Sequence, residues 1–274
     1  MGSQFKQETL ETCDGIDLYS EFLECPSPLG VAIIVHGYGE HSGIYRSFCQ
    51  ELNSENFNTL TYDLRGHGKS PGERGDITSL QDCLDDLDLA IARVQDRFQG
   101  LPIFLFGHNL GSSIVALHCA YTKASFAGTV LTHIPFDIES SSTQRVMKPL
   151  LKLFSPIEST YSPQTFPGVD SGEDELMHNE KLSIVSTIEL DEAHNYLLVN
   201  GDRLTHPLYV VASGAVASTH KEFFDGTYSY QKEFKRADHH LSQAELKADL
   251  IPWVKARLND KPFDDDEAEE GVTA

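Results

Sequence analysis

The stretch PIFLFGHNLGSSIVALHCA, residues 102–120, decides how this chain folds. Its first part is a nearly unbroken apolar run of the length expected for a strand covered on both faces. Gly107, His108, Asn109, Leu110 and Gly111 follow, and then a helical run that begins with small residues. A sharp strand-to-helix turn crowds its own backbone, so glycine is required on both sides of the central residue. The central side chain is thrust up at the carboxyl edge of the sheet. Here that side chain is Asn109, an amide.

Working outward, VHGYGEH at 35–41 follows a second buried run, and its geometry predicts that the Tyr38 amide joins the Leu110 amide in pointing at a developing oxyanion. Further strand-like runs are NTLTYD (58–63), GTVLTH (128–133) and HPLYVVA (206–212). Between Phe5 and Gly107 short β-rich runs alternate with helical patterns, the arrangement of a mostly parallel sheet flanked by helices, and so the class is α/β. Leu80, Leu84, Leu87, Ile91, Val94 and Phe98 form one apolar stripe on a long helix that Ser79 is placed to cap, with Asp85, Asp86 and Asp88 read as its solvated face. Leu246, Leu250, Val254 and Leu258 predict a closing helix that Pro252 should kink or restart.

These patterns divide the chain into a core, 1–136 with 206–258, a cap insertion at 137–205, and an acidic tail at 259–274 expected to be disordered. Within the cap, RVMKPLLKLF (145–154) mixes basic and apolar residues, and Pro149 is expected to interrupt any single helix. Such a stretch suits either a pocket cover or a peripheral membrane contact, with pocket cover favoured.

The chain has 274 residues with 42 acidic against 21 basic side chains, a formal charge of −21. That charge repels nucleic-acid phosphates, so nucleic-acid binding is not expected. Five cysteines without paired spacing, and an amino terminus lacking the basic and apolar regions of a secretory signal, predict a cytoplasmic protein with reduced thiols. The histidines show no metal-ligand spacing, so neither metal nor cofactor is expected.

Taken together, HGYGEH, DLRGHGKSPGERG (63–75) and GHNLGS (107–112) resemble the α/β-hydrolase fold, and within it the monoacylglycerol lipase and serine aminopeptidase S33 group, whose motifs are HGxGEH, DxRGHGxSxGxRG and GHSMGG. The resemblance implies a serine ester hydrolase, and carrying its triad over shows what differs. The family's nucleophilic serine falls on Asn109. Its acid falls on Val216, or on Ala215 with a one-residue slip, and its base on His239, or on His240 likewise. By this reading only the base survives. Ser112, Ser113 and Asp137 are candidates for replacing the missing groups, each with a structural role as the simpler reading. The resulting expectation is a non-hydrolytic pseudoenzyme that binds a small acyl or apolar ligand. The alternatives are an active carboxylic-ester hydrolase, of monoacylglycerol lipase or lysophospholipase type, with relocated catalytic groups, and an acidic scaffold for a basic protein partner.

Overall fold

The computed structural model describes residues 4–77, 79–122, 126–138, 140–151, 174–177, 182–213, 217–237 and 243–258. Eight strands among them form one sheet: β1 (Phe5–Glu11), β2 (Asp17–Leu23), β3 (Gly30–Val35), β4 (Phe57–Tyr62), β5 (Ile103–His108), β6 (Gly128–Thr132), β7 (Leu208–Ser213) and β8 (Lys232–Ala237). Their order across the sheet is β1-β2-β4-β3-β5-β6-β7-β8, with β1 and β2 antiparallel and every pair from β4 to β8 parallel.

The continuous apolar runs exist because both faces are covered. Alternate residues of β3 serve opposite cores: Val31, Ile33 and Val35 join one, Ala32 and Ile34 the other. On the second face lie α1 (Arg46–Ser54), through Phe48, Cys49 and Leu52, and α7 (Gln243–Arg257), through Leu250, Trp253 and Val254. The first face carries α2 (Leu80–Arg97), α3 (Leu110–Tyr121), α5 (Ile184–Val199) and α6 (Ala217–Gly226). The chain leaves β3 for β4 on one side and returns as β5 on the other. The carboxyl ends of β3 and β5 therefore stand side by side at the point where strand order reverses, the usual location of a ligand crevice in open α/β sheets.

Three local expectations are corrected. Asp86 is not on the solvated face of α2: it is 1% exposed. At helical spacing it stands beside Cys83 and Ala90 on the flank of the buried stripe, where Arg65 grips it through two hydrogen bonds of 2.9 and 2.7 Å. Burial pushes its carboxyl up and the guanidinium opposes that shift. Asp85 and Asp88 do stand on the exposed face as expected, Asp88 with its side chain 60% exposed while one carboxylate oxygen lies 2.7 Å from His118 Nε2. Pro149 does not interrupt its helix, because α4 (Ser142–Leu151) contains it in the last turn, where few backbone bonds remain to be lost. Pro252 does not restart its helix: α7 runs through it, and its neighbours Leu250, Trp253 and Val254 are all held against the sheet.

The described parts of the segment expected as a cap, α4 and α5, pack on each other and, through α5, on the core. Ser183 caps α5 by accepting from the Ser186 amide at 3.0 Å, and α5 packs against α3. Helix α4 packs on α5 with its basic residues turned toward it: Arg145 pairs with Asp191, and Lys148 with Glu189 and Glu192. Val146, at 82% exposed, and Met147 face outward. Among the described residues no helix is long and apolar enough to cross a membrane. Residues 152–173 and the 259–274 tail lie outside the described residues.

Candidate functional site

The turn from β5 to α3 is as crowded as its glycines predict. A methyl group added at Gly111 would lie 2.1 Å from the Val35 carbonyl oxygen, and one at Gly107 would lie 2.5 Å from the Gly111 carbonyl oxygen. Neither position tolerates a side chain. Between them Asn109 takes φ 48° and ψ −115°, a conformation that costs a non-glycine residue about 1–3 kcal/mol and persists where the surroundings enforce it. The enforcement is visible: the Asn109 amide donates to the Thr132 carbonyl at 2.9 Å, and its own carbonyl accepts from the Ser112 and Ser113 amides at 3.0 and 3.3 Å.

The Asn109 side chain caps α3 by accepting, through Oδ1, a hydrogen bond of 2.8 Å from the Leu110 amide. An amide N–H can face only an acceptor, so this bond fixes the carboxamide with oxygen toward Leu110 and nitrogen away from it. One of the two backbone donors expected to serve an oxyanion is thus engaged by the residue standing where the nucleophile would be.

The loop after β3 closes against this turn. A methyl at Gly37 would meet the Asn109 Cβ at 3.1 Å, which brings the Tyr38 segment beside the apex as the motifs predict. Two buried side chains hold that loop. His36 accepts from the Leu64 amide at Nε2 (2.9 Å), leaving Nδ1–H to donate to the Gly37 carbonyl (2.7 Å). Glu40, fully buried, accepts from the Gly37 amide (2.7 Å) and the Tyr45 hydroxyl (2.6 Å), and its other oxygen lies 3.8 Å from His108 Nε2. Burial, followed by the adjacent Glu40 charge, drives the Tyr45 phenol well above its usual range, so it stays a neutral donor. Sequence reading gave Glu40 no role although it stands within VHGYGEH; its signal was a carboxylate two residues after a loop expected to aim amides.

The replacement candidates are placed elsewhere. Ser112 Oγ lies 2.7 Å from the Gly107 carbonyl and 2.9 Å from that of Thr132, and it accepts from the Thr132 amide at 2.9 Å, so this hydroxyl ties β5 to β6. Ser113 lies 2.8 Å from His194 Nε2, a serine and an imidazole in hydrogen-bond contact, but both are buried. Burial lowers the His194 pKa to about 3, and its Nδ1 has no hydrogen-bond partner among the described residues. The nearby Asp191 carboxylate is taken by Arg145, Ser140 and Asn195. Asp137 is exposed. His239 and Val216, with their one-residue alternatives, lie outside the described residues.

Beneath the turn a cavity of about 20 Å³, lined by Tyr45, Phe48, Phe106, His108 and Leu250 among others, has room for about one water and none for an acyl chain. Among the described residues no three His, Cys, Asp or Glu side chains are grouped to hold a metal ion.

Comparison with known proteins agrees with this architecture. The family model described as "Serine aminopeptidase, S33" matches residues 26–241. Monoglyceride lipase of Homo sapiens is 28% identical over 218 residues, which is 75% of this chain and 72% of that protein. The Rattus norvegicus monoglyceride lipase is 33% identical over 142 residues, 50% of this chain and 46% of its own length. Among solved structures, a soluble variant of monoglyceride lipase from Saccharomyces cerevisiae in complex with a substrate analog superposes with a TM-score of 0.74, covering 94% of this chain and 96% of that one. At 18% identity that likeness concerns the fold.

Proposed function

This chain belongs to the serine aminopeptidase S33 family of the α/β-hydrolase fold and is monoglyceride lipase-like, and from that premise we propose that it is a non-hydrolytic member that binds a small apolar or acyl ligand. The observation that carries the proposal is Asn109 at the apex of an otherwise intact strand-to-helix turn. A carboxamide has no ionisable hydroxyl and no useful nucleophilicity. In a serine triad, loss of the serine lowers turnover by roughly a millionfold.

Three further points support this reading. The family's acid position falls on Val216, so the motif supplies no carboxylate for the imidazole assigned at His239. The hydroxyls of Ser112 and Ser113, just past the turn, are committed in the interior. The basic residues of α4 are neutralised by α5, which favours the cap as a cover over the ligand rather than as a contact for anionic lipid.

Titration of the full chain with fluorescent monoacylglycerol, fatty acid and lysophospholipid tests the proposal. Saturable binding by at least one of them is expected, together with p-nitrophenyl ester turnover at the buffer rate and no adduct with a fluorophosphonate probe. Absence of saturable binding by all three would remove the ligand-binding role. Ester turnover above buffer that is lost in His239→Ala would instead establish a hydrolase with relocated groups.

A further inference from the structure

Asn109 is 3% exposed, and the two ends of its carboxamide are in different situations. Oδ1 is bonded to the Leu110 amide. For Nδ2, no acceptor is present among the described residues, yet this atom is not among the buried side-chain atoms that lack a partner, so it reaches accessible space. A nine-tenths buried polar group with an open donor valence, on a strained backbone held in place by its hydrogen bonds to Thr132, Ser112 and Ser113, is a directed hydrogen-bond donor.

The geometry points to Asn109 as the recognition group of this site, its Nδ2 donating to the carbonyl oxygen of an intact acyl ligand while its Oδ1 closes the Leu110 half of the oxyanion pair. This inference deepens the acyl-binding reading and rests on it. Where a serine would present an attacking lone pair to the acyl carbon, Asn109 presents N–H to the acyl oxygen, an interaction that binds the ground state. The Leu110 donor is already satisfied, so the pair of amides cannot act together on charge developing at that oxygen, and with no attacking group at the apex binding does not become catalysis. The ligand class is therefore a compound with a carbonyl oxygen at the head of an apolar chain, either an ester or the free acid.

The test uses three probes that share one chain and are soluble as monomers: 1-decanoylglycerol, decanoic acid, and 1-O-decylglycerol, an ether with no carbonyl. In calorimetric titration of the unaltered protein, the ester or the acid should bind about tenfold or more tighter than the ether, the loss expected when a buried donor goes unpaired. Preference for the ester or for the acid identifies the source of the carbonyl, and either carries the inference. Asn109→Asp keeps the shape and the acceptor for Leu110 but replaces the donor by an acceptor, and should lose about tenfold for whichever carbonyl compound binds. Equal binding of ether, ester and acid by the unaltered chain, or undiminished carbonyl binding by a folded Asn109→Asp, overturns the inference while leaving ligand binding intact. If none of the three probes saturates, the acyl-binding reading falls and this inference with it. The comparison of ester, acid and ether needs no variant, so it decides the matter even if Asn109→Asp fails to fold.

Discussion

Two places in this molecule each hold half of what a serine hydrolase needs. At the carboxyl edge of β5, the strained backbone, the glycine-lined turn and the neighbouring β3 loop are present, but the side chain at the apex is an amide whose oxygen binds the next residue's N–H. One turn into α3, a hydroxyl and an imidazole are 2.8 Å apart, but both are sealed in the interior and the imidazole's other nitrogen meets no carboxylate among the described residues. The contrast shows that a reactive pair and a reactive place are separate requirements. Access, preorganised donors and a polarised nucleophile must coincide, and a hydroxyl near a histidine in the core is a packing element.

The largest effect that sharpens this contrast is a gain of activity. Asn109→Ser alone should restore little ester hydrolysis, whereas Asn109→Ser with Val216→Asp should restore far more, since orienting the imidazole is worth up to about 10⁴-fold in turnover. Steady-state hydrolysis of p-nitrophenyl esters reads the difference, and full activity from the single change would move the acid away from Val216.

Next is the scaffold of the apex. Gly111→Ala should destabilise the fold by at least about 3 kcal/mol in urea unfolding, because its methyl would stand 2.1 Å from a backbone oxygen that cannot withdraw without displacing β3. A cost below 1 kcal/mol would mean that the turn is looser than described.

The interior pair has its own signature in pH. His194 is held neutral in the fold, with its pKa lowered from 6.5 to about 3 by burial, and the unfolded chain binds the proton more readily. Its contribution to stability is therefore complete above about pH 6.5 and is lost as pH falls toward 3, at up to about 1.4 kcal/mol per pH unit for one group. His206, lowered to about 4 by burial, adds in the same direction. Urea midpoints measured between pH 7 and pH 4 should fall, and less steeply in His194→Gln; an identical slope would show that His194 is not what titrates.

The smallest effect is that of Ser113→Ala, which should cost about 1–2 kcal/mol by leaving the His194 ring nitrogen unpaired, with no change in ester turnover or in ligand binding. A loss of binding or turnover without a matching loss of stability would make the interior pair functional after all.

Much of the fold was legible because its determinants are local. Each continuous apolar run between 31 and 212 became a parallel strand within one or two residues of its expected limits, and Ser79 caps α2 as its spacing indicates. The edge strand β8 was not singled out, because its sequence KEFKRA covers only part of its length with apolar residues and reads as a charged segment. The same locality explains why neither proline ends its helix: a sequence shows the missing N–H but not that Pro149 falls in a last turn or that residues on both sides of Pro252 are packed on the sheet.

At the candidate site, the identity of the apex residue, the flanking glycines and the adjacency of the two loops follow from the order of residues alone, since a turn of this kind admits one geometry. Which partner each polar group takes was decided only by the tertiary structure. Oδ1 of Asn109 faces Leu110, Glu40 braces Gly37, Asp86 is drawn inward by Arg65, and Ser113 finds an imidazole 81 positions away. Hydrogen-bond pairing in a buried setting depends on which groups distant in the chain are brought within 3 Å and which are kept from water, and neither condition is written in spacing or composition.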